Sequence, residues 1–306
     1  MIANVIVNFW QDRTGGRWHD FGIGFGMISC GAKYRLGGAW RLRALMLVIA
    51  LVGADLGAGL GASLGSGSAF AAPADFIHAD GTRLVDGSGQ EFAVKGINLG
   101  NWLVPEGYMF KFKHALSPMQ ISELFEALLG AEAASRFWSE FRDVYVAKED
   151  IDFLKASGFN TVRVPLNWRL FVQPGEEAEA DLFEGPGWAL VDRLVQWCRD
   201  AGLHVIVDLH AAPGGQTGVN HDDGPGFPLT FYVPRYRQLT VALWRKLAAR
   251  YRDETAVLGY DLLNEPISPY SDTDYLNPRL EPLYRDIVAA IRSVDPNHVV
   301  LLGGGQ

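Results

Sequence analysis

Cysteine and excess positive charge are both scarce in this sequence. Its two cysteines, Cys30 and Cys198, are too few for a disulfide framework or a cysteine-based zinc site. Acidic residues outnumber basic ones, the formal net charge is -8, and no stripe rich in Lys and Arg is present. These features argue against a nucleic-acid partner and against an anionic membrane surface.

Motifs for metals and cofactors are also missing. The seven histidines form neither an H-E-x-x-H motif nor a pair spaced i, i+4, and no phosphate loop or G-x-S-x-G elbow occurs. We therefore expect neither a metal nor a cofactor. The mature protein would keep Cys198 alone, which we interpret as part of an apolar helix face.

The sequence also lacks an apolar run long enough for a confident membrane span. The most apolar run lies near the N terminus. Two arginines precede the apolar run 44–52, and small residues with an A-x-A site at 69–71 follow it. This order is typical of a signal peptide, predicted at 41–71, and the run is too short for a confident membrane span. We expect a secreted, extracellular or periplasmic protein without stable membrane insertion, with an uncleaved anchor as the alternative. Residues 1–40 are interpreted as a possible mis-annotated N-terminal extension.

Residues 72–306 alternate between strand-like apolar runs and amphipathic helical segments. Residues 82–94 first show the pattern of a hairpin around Asp86-Gly87. Strands are then predicted near 95–99, 159–164, 203–209, 257–263 and 298–302. Helices are predicted near 119–129, 133–143, 147–157, 187–201, 235–252 and 280–293. Apolar strands separated by helices indicate an α/β fold with a parallel sheet.

Unusual polar residues occur where these strands end. Asn98, Arg163, His210 and Glu265 each lie at or near the carboxyl end of a different strand. In a TIM (β/α)8 barrel, that edge of the sheet carries the active site. A closed barrel has eight strands, and only about the first five β/α units are recognisable here. We therefore predict a partial (β/α) barrel domain over 72–306.

Four motifs, taken in order, resemble one enzyme family. "VKGINLGNWLVPEGY", "GFNTVRVPLNW", "LHVIVDLHAAPGGQTG" and "YDLLNEP" are similar to motifs of family 5 glycoside hydrolases, in the branch that contains exo-β-1,3-glucanases. "NEP" alone is shared with related barrel families, so another such family remains an alternative. The resemblance implies retaining hydrolysis of β-1,3- or β-1,4-linked glucans, with a β-glucan polysaccharide or oligosaccharide as the partner. It implies nothing about oligomeric state.

The resemblance also assigns roles to single residues. Glu265 would be the general acid/base, which protonates the glycosidic oxygen and later activates water. Asn264 would bind the sugar 2-hydroxyl, and His210 and Arg163 match substrate-site positions of the family. Arg163 is expected to hold the nucleophile carboxylate ionised. Glu106 falls where the exo-glucanase branch has a carboxylate that touches the terminal sugar.

One part of the family's site has no counterpart in these motifs. A retaining mechanism needs a second carboxylate about 5–5.5 Å from the first as nucleophile, and the resemblance places it at the end of a seventh strand. We therefore expect the nucleophile to lie beyond residue 306, and the chain to be truncated and inactive alone. The alternative is an inactive remnant that at most binds carbohydrate.

Several further residues allow two interpretations. Trp102 and Trp168 are expected to pack in the core. The stretch 220–223 is either a subsite or a solvated loop, and Asn98 either closes the first loop or touches sugar.

Overall fold

A computed structural model describes residues 76–172, 183–219 and 222–305 of the chain. The predicted extension at 1–40 and the predicted signal peptide at 41–71 lie outside these residues. In the described part of the chain, no helix combines the length and the apolar character needed to cross a membrane.

The described chain begins with an antiparallel hairpin. Its strands are β1 (His78–Asp80) and β2 (Arg83–Val85). After a turn, Val85 forms a second antiparallel bridge, with Glu91. The predicted hairpin around Asp86-Gly87 is therefore present. Its first strand is β2, which also pairs with β1.

A parallel sheet of five strands follows, and its spatial order is the order of the sequence. Its strands are β3 (Gly96–Asn98), β4 (Thr161–Asn167), β5 (His204–Ala211), β6 (Val257–Asp261) and β7 (Val299–Leu301). Each strand pairs with the next one along the chain in parallel register. All five predicted strands are confirmed, because strands buried on both faces are apolar almost throughout.

Helices connect successive strands of the sheet. They are α1 (Pro118–Leu129), α2 (Ala131–Val144), α3 (Lys148–Ala156), α4 (Gly187–Ala201), α5 (Leu229–Tyr232), α6 (Pro234–Tyr251) and α7 (Thr273–Arg292), with a 3₁₀ turn at Trp168–Phe171. Alternation of parallel strands and helices agrees with the first units of a (β/α) barrel.

Two helices differ from the sequence prediction. The short helix α5 was not predicted. Helix α7 begins at Thr273 instead of near 280, although Pro278 and Pro282 lie inside it. Its start is set by Asp272, whose carboxylate accepts a hydrogen bond from the N–H of Tyr275 at 3.1 Å. A side-chain cap of this kind stabilises the first turn, and tertiary packing outweighs the low helix propensity of proline.

The outer face of the sheet packs on the helices and forms the main core. Val162 and Val164 of β4 and Val205 and Val207 of β5 are fully buried there. Cys198 of α4 is buried in the same core, which confirms its interpretation as an apolar helix residue.

The inner face of the sheet changes from apolar to polar along the strands. At its amino end, Ile77 of the leading segment packs with Ile206 and Leu258 in a small separate cluster. Residues spaced i, i+2 share one face of a strand, so Asp208 follows Ile206 on this face. The hairpin region thus closes one end of the inner face, and polar side chains occupy the other end.

Candidate active site

Arg163, in the middle of β4, joins polar groups from the neighbouring strands. Its Nε and Nη2 donate to Oδ2 of Asp261 at 2.9 and 2.7 Å. Its Nη1 lies 3.0 Å from Oδ2 of Asp208 and donates to Oδ1 of Asn98 at 3.2 Å. Burial lowers the pKa of Arg163, but the carboxylates of Asp208 and Asp261 outweigh it, and the net shift is upward. We call Arg163, Asp208 and Asp261 the polar layer.

The carboxyl group of Asp261 is the proton-sensitive member of the polar layer. Its side chain is 16% exposed. Burial and the nearby Asp208 carboxylate raise its pKa to about 6, against the opposing attraction of Arg163. Asp208 and Asp261 are direct register partners on β5 and β6, so two carboxylates compete for one guanidinium group. The charge of the layer therefore changes near pH 6.

Asp208 also contacts His210, two residues further along β5. The two atoms joined are Oδ2 of Asp208 and Nδ1 of His210, at 2.7 Å. Burial lowers the pKa of His210, but attraction and hydrogen bonding by Asp208 raise it above its ordinary value. The Asp208 side chain is fully buried, whereas that of His210 is 15% exposed. The imidazole therefore lies between the polar layer and the edge of the sheet formed by the carboxyl ends of the strands. We call this the open edge of the sheet.

The backbone of Asn264 is fixed on both sides, just beyond the end of β6. Its N–H donates to the carbonyl oxygen of Leu209 at 3.2 Å, and its carbonyl oxygen accepts from Nε2 of Gln216 at 2.9 Å. Its side-chain Oδ1 accepts from Nη2 of Arg163 at 3.1 Å. Because Oδ1 faces the guanidinium group, the Nδ2 donors of the amide are directed elsewhere.

Glu265 has an unusual backbone conformation. Its φ is 43°, a left-handed value that costs a non-glycine residue on the order of 1–3 kcal/mol. Strain of this size persists only where neighbouring contacts impose it, and it occurs frequently at functional sites. The side chain is partly buried, and its charge contributes to the raised pKa values of Arg163 and Tyr108. Glu265 thus lies beside the polar layer.

Glu106 lies in the loop after β3, on the same side of the site. Its side chain is largely buried, and its N–H donates to Oδ1 of Asn101 at 3.2 Å. Burial, followed by the charge of Glu106 and a hydrogen bond to it, raises the pKa of Tyr108 to about 12. The charge of Glu106 also favours protonation of His210. The structure therefore brings Glu106, His210, Asn264 and Glu265 to one edge of the sheet. Arg163 lies inside β4 and not at its carboxyl end as predicted, because the strand continues through Pro165 to Asn167.

The interpretation of Asp222 and Asp223 as part of a solvated loop is wrong, because both aspartates are buried. Asp222 is fully buried, and its carboxylate accepts from the backbone N–H groups of Thr217, Gly218 and Gly224. It therefore organises its own loop. Residues 220 and 221 lie outside the described part of the chain.

Asp223 connects that loop to two other segments. It is 2% exposed and accepts from the N–H of Met119 at 2.7 Å, from Nδ2 of Asn167 at 2.8 Å and from Nε of Arg169 at 3.1 Å. Met119 is in the first turn of α1, where backbone N–H groups lack helical partners. Both aspartates are thus occupied by structural contacts within the protein.

The remaining ambiguous residues have clear positions. Trp102 and Trp168 are 1% and 2% exposed, which confirms that they pack in the core. Asn98 faces Arg163 through its side chain, so it supports the polar layer.

Three residues that matter for this geometry were not identified as site residues from the sequence. Asp208, Asp261 and Gln216 have no role in the predicted site, yet each contacts a residue that does. The sequence contained a signal for Asp208 alone, because residues spaced i, i+2 share one face of a strand and Asp208 therefore shares a face with His210. The pairing of Asp208 with Asp261 needs the strand register, which the sequence did not supply.

Comparisons with known proteins give the family of this chain. Residues 123–306 match the family model "Cellulase (glycosyl hydrolase family 5)". A β-xylosidase from Phanerodontia chrysosporium is 31% identical over 230 residues, which cover 75% of this chain and 46% of that protein. A probable glucan 1,3-β-glucosidase A from Aspergillus fumigatus is 30% identical, over 69% of this chain and 50% of that protein. The chain thus spans about half the length of these curated relatives.

A solved structure gives the fold independently. The rutinosidase from Aspergillus niger superposes with a TM-score of 0.58 at 21% identity, covering 70% of this chain and 63% of that chain. The family match contains β4 to β7 and the residues Arg163, His210, Asn264 and Glu265, while Glu106 lies before it. On the strength of the family model and of relatives at 30% identity or more, the chain belongs to glycoside hydrolase family 5.

Proposed function

We propose that this chain supplies the acid/base half of a retaining β-glucan hydrolase, with Glu265 as the acid/base. The observation that carries the proposal is the fixed Asn264-Glu265 segment. Its backbone is hydrogen-bonded on both sides, its amide faces Arg163, and Glu265 keeps a left-handed φ of 43° beside the polar layer. A strained acidic residue held in this way, in a glycoside hydrolase family, suits proton transfer to a glycosidic oxygen.

The neighbouring groups suit the binding of a sugar. With Oδ1 of Asn264 facing Arg163, its Nδ2 can donate to a sugar hydroxyl, in keeping with the proposed contact to the 2-hydroxyl. The partly exposed imidazole of His210 and the carboxylate of Glu106 offer two further polar contacts. Arg163 supports these groups from below, through Asp208 and Asn264.

We propose that the nucleophile is a carboxylate outside these 306 residues, and that the 306 residues alone do not turn over substrate. The retaining mechanism needs a carboxylate about 5–5.5 Å from Glu265 that is free to attack. Among the described residues near Glu265, the carboxylates of Asp208 and Asp261 are ion-paired with Arg163. Glu106 is hydrogen-bonded by Tyr108. These engagements make each of them a poor nucleophile.

The substrate class follows from the relatives together with the site. Curated relatives include proteins named glucan 1,3-β-glucosidase and one named β-xylosidase. We propose a β-linked glucan, β-1,3- or β-1,4-linked, as the substrate, and take an aryl β-xyloside as the comparison. Export of the protein, through residues 41–71, remains a prediction.

The first experiment uses the 306-residue chain. Laminaritriose should bind, as measured by isothermal titration calorimetry, without release of glucose from laminarin or of nitrophenol from an aryl β-glucoside. Hydrolysis by this chain that is lost in Glu265→Gln would support the acid/base and contradict the external nucleophile. Absence of both binding and hydrolysis would contradict the proposal.

The second experiment uses the protein as its gene encodes it, expressed in full. Glu265→Gln should reduce kcat/KM on laminarin, which reports the first bond cleavage, by about 10²–10⁴-fold. The loss of kcat/KM should be much smaller on a 2,4-dinitrophenyl β-glucoside, whose leaving group needs no proton. Glu281→Gln, on an exposed part of α7, is the matched control and should retain activity. Equal losses on both substrates would exclude Glu265 as the acid, and an inverted anomeric product would exclude the retaining mechanism.

A further inference from the structure

Asp208 is the fully buried carboxylate of the site, and its contacts are unequal. Its Oδ2 lies 2.7 Å from Nδ1 of His210 and 3.0 Å from Nη1 of Arg163. Its Oδ1 is buried and has no hydrogen-bond partner among the residues that the structure describes. A buried carboxylate with one unused oxygen is costly, so its presence needs a reason other than stability.

Neutralising Arg163 does not provide that reason. Asp261 already accepts two hydrogen bonds from the guanidinium group, from Nε and Nη2. The contact that Asp208 makes and Asp261 does not make is the one to Nδ1 of His210.

We propose that Asp208 is a positioning residue for His210: it fixes the imidazole with a proton on Nδ1 and directs Nε2 towards the open edge of the sheet, to meet a sugar hydroxyl. An ionised carboxylate can only accept a hydrogen bond, so the 2.7 Å contact between Oδ2 of Asp208 and Nδ1 of His210 places the proton on Nδ1 when Asp208 carries its charge. This is the arrangement by which a second residue sets the tautomer of a functional histidine. The identity of the ligand as a sugar rests on the function proposed above.

The charges around the ring decide what Nε2 offers. Asp208 and Glu106 favour the protonated ring, while burial and Arg163 oppose it. The net direction is towards protonation, so the imidazolium form, in which Nε2 also carries a hydrogen, persists to higher pH than in a free histidine. In that form Nε2–H donates to the oxygen of a sugar hydroxyl, whereas in the neutral form with its proton on Nδ1 the Nε2 atom accepts from the hydroxyl. Loss of Asp208 would allow the ring to adopt the other tautomer or to rotate.

The first test needs no sugar and no catalysis. Two-dimensional ¹H–¹⁵N NMR of the 306-residue chain reports the protonation of each ring nitrogen, and His210→Gln assigns the signals. We expect Nδ1 of His210 to be protonated at every pH at which the protein is folded. A neutral ring with its proton on Nε2 would overturn the proposal, whatever the fate of the glucan hypothesis.

The same spectra compare two aspartate variants. Asp208→Asn should lower the pKa of His210, whereas Asp261→Asn, which removes the other carboxylate partner of Arg163, should lower it less. Equal shifts would show that His210 senses only the total charge of the polar layer, and would overturn the assignment. If Asp208→Asn does not fold, the protonation state in the unmodified chain still decides the question.

A double-mutant cycle tests the link to sugar binding. Asp208→Asn should weaken the affinity for laminaritriose about tenfold, the size expected for one hydrogen bond that involves a charged group. In the His210→Gln background, the same change should cost less than about twofold, because the residue through which it acts is gone. An equal loss in both backgrounds would contradict positioning. NMR as expected with no laminaritriose binding would leave the positioning intact and contradict the proposed function.

Discussion

In the part of the chain that the structure describes, two Asp–His pairs lie at opposite ends of the sheet, and their surroundings differ. We call Asp208–His210 the open pair and Asp295–His298 the closed pair. In both, Nδ1 of the histidine lies near Oδ2 of the aspartate, at 2.7 Å in the open pair and 2.6 Å in the closed pair. The open pair is at the carboxyl end of β5, and the closed pair immediately precedes β7.

The closed pair has a partner for each of its polar atoms. Oδ1 of Asp295 accepts from the N–H groups of Asn297 and His298, and Oδ2 also accepts from the hydroxyl of Tyr260 at 2.7 Å. Nε2 of His298 lies 3.0 Å from the carbonyl oxygen of Glu254. Both side chains are fully buried.

The open pair, in contrast, leaves Oδ1 of Asp208 without a partner in the described chain and keeps part of the His210 ring exposed. The same two residue types therefore serve as scaffold in one place and as a candidate site in the other. Complete hydrogen bonding is what a structural role requires. Incomplete hydrogen bonding in a buried pair needs an explanation other than a purely structural role. The comparison indicates that the neighbours of a pair decide its role.

The largest effect that we expect is on the closed pair. Asp295→Asn should reduce the free energy of unfolding by about 3–5 kcal/mol, because it leaves buried donors and a buried histidine without their carboxylate. Asp208→Asn should cost only about 1–2 kcal/mol, since Arg163 keeps Asp261. Urea unfolding monitored by circular dichroism measures both. Equal losses of unfolding free energy in the two variants would show that the open pair and the closed pair stabilise the protein equally, and would contradict the comparison.

The next effect is a pH dependence of opposite sign at the two ends of the sheet. The pKa of Asp261 is raised to about 6 from 3.8, so the folded state binds a proton that the unfolded state has lost. Stability therefore falls as pH rises through this window, by on the order of 1–3 kcal/mol. For Asp295, burial raises the pKa but hydrogen bonds from His298 and Tyr260 outweigh it and lower it. Its contribution is present above pH 3.8 and is lost as pH falls further.

Urea unfolding of the unmodified chain and of Asp261→Asn at pH 4, 5, 6 and 7 measures the first part. As pH rises from 4 to 6, the unmodified chain should lose stability relative to Asp261→Asn. Above pH 6 the difference in their unfolding free energies should stay constant. A difference that does not vary with pH would contradict the raised pKa.

The smallest effect is expected for an exposed ion pair. Glu281 and Arg285 form an i, i+4 pair on α7, with side chains 71% and 65% exposed. Glu281→Gln should change the free energy of unfolding by less than about 0.5 kcal/mol, because water and salt screen such pairs. The same urea experiment supplies the value. A loss approaching that of Asp208→Asn would show that carboxylates in this chain stabilise it irrespective of burial.

Much of the fold could be predicted from the sequence. The five apolar strands and most helices have the expected positions, because burial on both faces demands continuous apolar runs and helices show their own period. The predicted start of α7 was wrong: the helix begins at Thr273, after the Asp272 cap, and continues across Pro278 and Pro282. Helix α5 spans Leu229–Tyr232, too short for a periodic signal.

The site was predictable in part, through its motif residues. His210, Asn264, Glu265 and Glu106 do lie at one edge of the sheet, and Arg163 contacts Asn264 from inside β4. The aspartates at 222 and 223 were misjudged because a loop sequence does not reveal burial, and their backbone and side-chain donors come from distant segments such as α1.

The sequence by itself determined the family, the alternation of strands and helices, and the identity of the carboxylate at the end of the fourth predicted strand. Only the tertiary structure decided which aspartate faces which cation, because strand register and burial set those distances. Asp208 and Asp295 are the same residue type in the sequence. In the folded chain both carboxylate oxygens of Asp295 accept hydrogen bonds, whereas Oδ1 of Asp208 has no partner among the described residues. That difference exists only once the chain has folded.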